Sequence, residues 1–152
     1  TTDLGVVTSS TPYGKMEPSL HPLRTYLTMG VSYIASTISN KVKDMSQLMY
    51  DAMNHPGFSI VHVQSPCTEY NNTYEALKGS PKKGIEPLAY DIPDGHDPED
   101  VEAAQELVNA DGIPLGLVYK DLSRPSFDQK AKDTTGAVEM KSPESFLESF
   151  RI

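Results

Sequence analysis

The chain has 152 residues, 38% of them hydrophobic, a net charge of −8, and no apolar run near the roughly 20 residues that cross a bilayer. That is enough for one domain with a core. The acidity argues against a nucleic-acid backbone or an anionic membrane surface as partner, because both recruit clustered Lys and Arg.

Residues 1–17 lack a long periodic stretch, and Thr11-Pro12-Tyr13-Gly14 reads as a turn. A first helix follows, with Ser19 as the expected N-cap, Pro22 in the first turn, and Leu20, Leu23, Tyr26 and Leu27 on one face. Gly30 is placed to end it in the left-handed conformation. Residues 31–38 read as a strand. The second helix, capped by Asn40, carries Val42, Met45, Leu48, Met49, Ala52 and Met53 at helical spacing, and its methionine face is expected to pack in the core. His55-Pro56-Gly57 stops it. Residues 58–63 are dense in bulky and β-branched side chains, as in a buried parallel strand.

Residues 67–96 read as loop. Asp97-Pro98-Glu99-Asp100 is a helix start: a cap, a proline, then acids at the positive end of the helix dipole. Val101, Ala104, Leu107 and Val108 form that helix's apolar face, Gly112 closes it, and residues 115–119 are a third strand. Beyond Lys120 the chain is polar until Ser142-Pro143-Glu144, where a short helix presents Phe146, Leu147 and Phe150. The expected fold is α/β: the second half of an open, mostly parallel sheet with flanking helices, plus an extended C-terminal tail.

The chain's one cysteine, Cys67, comes just after the strand at residues 58–63, following Gln64-Ser65-Pro66. In open parallel sheets ligands gather beyond the carboxyl ends of the strands, so a thiolate there sits where a cofactor would be. The bland alternative is a small buried hydrophobe. A lone cysteine makes no internal disulfide, and Thr1-Thr2-Asp3 has no charged-then-apolar leader pattern, so cytoplasm is the expected compartment.

His21, His55, His62 and His96 are too scattered for a zinc pattern. His62 reads as a structural histidine within a strand. Asp94-Gly95-His96-Asp97 offers oxygen donors to a hard cation, but its acids read better as helix-start residues. Lys82-Lys83 could attract an acidic partner, with a solvated loop as the simpler reading.

Several segments, in order, resemble the β subunit of thiamine-dependent 2-oxoacid:ferredoxin oxidoreductases. They are Thr11-Pro12-Tyr13-Gly14 with Glu17-Pro18 and His21-Pro22-Leu23; Gly30-Val31-Ser32-Tyr33-Ile34-Ala35; and residues 57–67 ending in Gln64-Ser65-Pro66-Cys67, with residues 71–74 close behind. His96-Asp97-Pro98 and residues 113–120 resemble that family's C-terminal region. The likeness runs over about the first 120 to 130 residues and implies a thiamine diphosphate-binding fold. It divides the chain into residues 1–120, the C-terminal part of that domain, and residues 121–152, a tail expected to pack on a partner subunit.

The resemblance further implies that Cys67 is one of four thiolate ligands to a 4Fe–4S cluster. The other three, and the magnesium loop that holds thiamine diphosphate, would lie in an N-terminal half of the subunit that this chain does not contain. Residues from Thr1 onward would follow directly on the diphosphate site. The implied partners are that missing half, an α subunit, ferredoxin, coenzyme A and a 2-oxoacid such as 2-oxoglutarate or pyruvate. The isolated chain is then expected to be inactive. Two rival readings are a cluster-free thiamine-dependent decarboxylase or transketolase relative, and a non-catalytic scaffold.

Overall fold

The computed structural model describes residues 4–69, 71–137 and 141–151. Its elements in chain order are α1 (Pro22–Thr28), β1 (Tyr33–Ile38), α2 (Val42–Asn54), β2 (Ser59–Gln64), α3 (Tyr74–Lys78), β3 (Ala89–Asp91), α4 (Val101–Asn109), β4 (Ile113–Lys120), α5 (Phe127–Gly136) and α6 (Pro143–Glu148), with a 3₁₀ turn at Pro81–Lys83. The architecture is the expected α/β one, an open sheet with flanking helices.

Among the described residues the sheet has four strands, in the order β2-β1-β4-β3. β1 and β2 are parallel and in register from Tyr33 opposite Ser59 to Ile38 opposite Gln64. β3 and β4 are also parallel, while β4 runs antiparallel to β1 with an irregularity at Ile34/Ala35. β1 is buried at all six positions, which requires cover on both faces. On one face Ile34 packs with Leu27 and Val31 before the strand, Ala104 and Val108 of α4, and Val118 of β4. Alternation along the strand sends Tyr33 to the other face, where its hydroxyl donates to the Leu48 carbonyl of α2 at 3.4 Å. A second cluster joins Ile38, Leu77, Ala89 and Leu115, drawing α3 and β3 onto the sheet.

The helix ends are stitched to each other. Arg24 of α1 donates to the carbonyls of Val108 (3.0 Å) and Asn109 (3.3 Å), so a cation meets the negative end of α4. Gly30 has φ +75°, the left-handed conformation expected after α1, and its carbonyl accepts from Arg124 Nη1 at 2.7 Å. That bond ties the chain beyond β4 back to the start of the sheet.

Several expectations need correction. α1 starts after His21 and α2 after Lys41, neither with a side-chain cap, so Ser19 and Asn40 do not cap them. α4 starts three residues later than read. Asp97 Oδ1 accepts from the Glu99 amide (2.9 Å), and Asp100 is the true N-cap, accepting from Glu102 at 2.8 Å. The supposed loop at residues 67–96 contains α3 and β3, held by Leu77 and Ala89 in the core. β2 is an outermost strand, half-buried at every position, and not a buried inner one. The methionine face of α2 is not core: Met49 and Met53 are 41% and 85% exposed, and no residue of α2 is fully buried. After Lys120 the chain is helical in α5 before reaching α6, whose N-cap Ser142 and apolar Phe146 and Leu147 fall as read.

Candidate functional site

β1 and β2 end side by side at Ile38 and Gln64, and the Ser39 amide donates to the Gln64 carbonyl at 2.9 Å. Ser65-Pro66 carries the chain past that edge to Cys67, which is exposed and in no disulfide. The turn bearing it closes on itself, the Asn71 amide donating to the Cys67 carbonyl at 3.0 Å. Next, Asn72 Oδ1 accepts from the Tyr74 amide at 3.3 Å. The Tyr74 hydroxyl then meets Ser39 Oγ at 2.8 Å, back at the end of β1. Leu77 anchors α3 in the core. The thiol is thus carried on a short segment fastened at both ends to the carboxyl edge of the parallel pair, where an open α/β sheet places its ligands.

An open cleft of about 450 Å³ lies just downstream, lined by Asn72, Tyr74, Glu75, Lys78, Gly79 and Ser80. Its charges are largely matched. Lys83 pairs with Glu75 at 2.7 Å, and the Lys78 ammonium stands 5.4 Å from the centre of the Tyr74 ring. Lys82 is exposed in the same loop.

Cys67 supplies one soft, solvent-facing sulfur donor, suited to iron bound jointly with donors from elsewhere. Among the described residues no group of three or more His, Cys, Asp and Glu is placed to hold a metal ion. Two of the groups near residue 95 are otherwise engaged: Asp97 caps a turn, and His96 Nε2 donates to the Val118 carbonyl at 2.9 Å. Thr1 to Asp3, the residues expected to adjoin a diphosphate site, lie outside the described residues.

His62 is half-buried on β2 with its ring 6.1 Å from Tyr26, and burial pulls its pKa below 6.5. It lines a cavity of about 360 Å³ with His21, Arg24 and Gln64. His55 Nε2 lies 3.0 Å from Ser32 Oγ, and burial lowers its pKa too, against the opposing pull of Asp121.

Known proteins share this arrangement. The family model for the C terminal of the pyruvate ferredoxin oxidoreductase beta subunit matches residues 85–135. A 2-oxoacid:ferredoxin oxidoreductase subunit beta from a Sulfolobus species is 26% identical over 136 residues, 84% of this chain and 44% of that protein. A 2-oxoglutarate synthase subunit KorB from Archaeoglobus fulgidus is 31% identical over 67 residues, 44% of this chain and 25% of that protein. The solved 2-oxoglutarate:ferredoxin oxidoreductase from Magnetococcus marinus, with 2-oxoglutarate, coenzyme A and succinyl-CoA bound, matches at TM-score 0.81 and 30% identity, over 100% of this chain and 52% of that one.

The chain is similar to the C-terminal part of the 2-oxoacid:ferredoxin oxidoreductase β subunit. It spans about half the length of relatives such as the Sulfolobus protein, 44% in that case. The structural match covers 100% of this chain, further than the sequence motifs reach. Sequence reasoning placed Cys67 but missed Ser39 and Tyr74, which fix the segment that carries it. They are 35 residues apart, and nothing local to either signals the contact.

Proposed function

We propose that this chain forms part of a 2-oxoacid:ferredoxin oxidoreductase and contributes Cys67 as one ligand of a 4Fe–4S cluster completed by three cysteines from the other half of the β subunit. The observation that carries this is the exposed Cys67 thiol, just beyond Gln64, on a turn fastened to the ends of β1 and β2. The complete assembly oxidatively decarboxylates a 2-oxoacid, 2-oxoglutarate or pyruvate, to the acyl-CoA and passes electrons to ferredoxin in the cytoplasm. When bound, magnesium–thiamine diphosphate supplies the carbanion chemistry and the cluster the one-electron relay.

The chain's own residues have structural and ligating roles in this reading. Cys67 binds iron as the thiolate. The Asn71 amide and the Ser39–Tyr74 bond hold its turn in place, so that little motion separates the sulfur from the shared centre. The magnesium loop belongs to the other half. The tail around α6, with Phe146, Leu147 and Phe150 54–69% exposed, packs on a neighbouring subunit.

The test is iron content and ferredoxin reduction by the assembled enzyme, comparing wild type with Cys67→Ala. The expected result is loss of at least one of about four irons per β subunit, with electron transfer falling by ten-fold or more. Unchanged iron and unchanged transfer would favour the cluster-free reading.

A further inference from the structure

One cavity differs from the rest of the surface in what lines it. The space of about 360 Å³ between α1, the end of β2 and the start of β4 has no Asp or Glu among its described lining residues, in a chain that carries 21 of them. Its polar side chains are instead Arg24, His21, His62, Gln64 and Ser19. Leu23 and Ile113, each packed against one of the two core clusters, supply apolar wall. Lys15 stands beside it, its ammonium donating to Ser19 Oγ at 3.3 Å. A cavity rich in cations and donors within an acidic protein favours an anion.

The donors are set in place before any ligand arrives. Arg24 is held by the Val108 and Asn109 carbonyls at the end of α4, which engage Nε and Nη2 and leave Nη1 to bind something else. A guanidinium fixed in this way loses little freedom on meeting a carboxylate or phosphate. The side chains of His21, His62 and Gln64 hydrogen-bond to no described residue, and none of them has a polar atom sealed from solvent. Tyr26 flanks the His62 ring at 6.1 Å. His62 and Gln64 lie on the same face of β2, because side chains two apart in a strand share a face.

We propose that this cavity binds a small organic anion, a carboxylate or phosphate ester with a short apolar body. Arg24 Nη1 and the imidazole N–H groups of His21 and His62 take the charged end, and Leu23 and Ile113 face the carbon chain. The volume suits a ligand of metabolite size. Because β2 ends three residues before Cys67, an occupant ties α1 to the strand that leads to the thiol. The site stands whether or not Cys67 binds iron.

Histidine acylation by diethyl pyrocarbonate on the assembled protein, read at His62 by peptide mass spectrometry, tests this. With a Kd of about 1 mM, about 10 mM butyrate or n-butyl phosphate should slow acylation of His62 roughly ten-fold. Slowing by butyrate alone assigns a carboxylate ligand, and slowing by the ester alone a phosphate one. Butyramide, the uncharged counterpart of butyrate, should leave the rate within about two-fold. His21→Ala, at an exposed side chain, removes one charge-assisted hydrogen bond and should raise the concentration for half-protection by about five-fold or more. The proposal is overturned if neither anion slows acylation, if butyramide slows it equally, if the reagent does not reach His62 at all, or if His21→Ala changes nothing. None of these readings depends on iron content, which tests Cys67 separately.

Discussion

Ser39 Oγ and the Tyr74 hydroxyl meet at 2.8 Å, joining the residue that follows β1 to the first residue of α3. Between them in the chain lie α2, β2 and the cysteine turn, so this one bond closes a loop around the candidate site. Tyr74→Phe keeps the ring and removes the bond. The expected cost is about 0.5–1.5 kcal/mol, a fall in thermal midpoint of about 2–4 °C per kcal/mol for a chain of this size. Ser39→Ala should cost a similar amount, and the double variant little more than either, because both remove the same interaction.

Gly112 separates α4 from β4 with φ +94°, and a Cβ there would lie 2.7 Å from the Leu88 carbonyl oxygen. That oxygen already accepts the Ile113 amide at 2.8 Å, the bond that leads into the β3–β4 pairing. Gly112→Ala is therefore strained in conformation and in space, and should destabilise by more than about 1 kcal/mol. At Gly95 a Cβ meets nothing within 4 Å, so Gly95→Ala should stay within about 0.5 kcal/mol of wild type. Thermal melts of the two variants side by side check the contrast.

Asp100, not Asp97, caps α4. Asp100→Ala should cost about 0.5–2 kcal/mol, while Asp100→Asn, which retains a capping oxygen, should lose much less. Asp97→Ala should be milder than Asp100→Ala, since Asp97 bonds the Glu99 amide ahead of the helix. Denaturant midpoints of the three variants give the order.

His62 and His55 both have pKa values lowered from 6.5 by burial. The folded protein keeps them neutral while the unfolded chain takes up protons first, so acid favours unfolding. Their stabilising contribution is full above about pH 6.5 and is lost as pH falls from there through their lowered folded values. Urea midpoints measured from about pH 7 to about pH 5 should fall in wild type and fall less steeply in His62→Gln with His55→Gln. An unchanged slope in the double variant would remove the histidines as the cause.

Much of the fold was legible because its signals are short-range. The periodicity of α2 and α4, the β-branched runs of β1 and β4, and Gly30 at the end of α1 all depend on neighbours within a few residues. The candidate site was legible only at Cys67, from its place after a strand and Ser-Pro. β3 was not: three residues make a strand only because β4 offers them a ladder. The α2 methionines misled for the same reason, since helical spacing marks an apolar face without saying what lies against it.

The sequence by itself determined the α/β class, most of the helices and strands, and the position of the thiol past the end of β2. Tertiary structure alone decided that β4 lies antiparallel against β1, that β2 is outermost, and that Ser39 and Tyr74 fasten the cysteine segment. The division is physical. Helix and strand signals are carried by adjacent residues, whereas strand order, direction and exposure depend on partners distant in the chain.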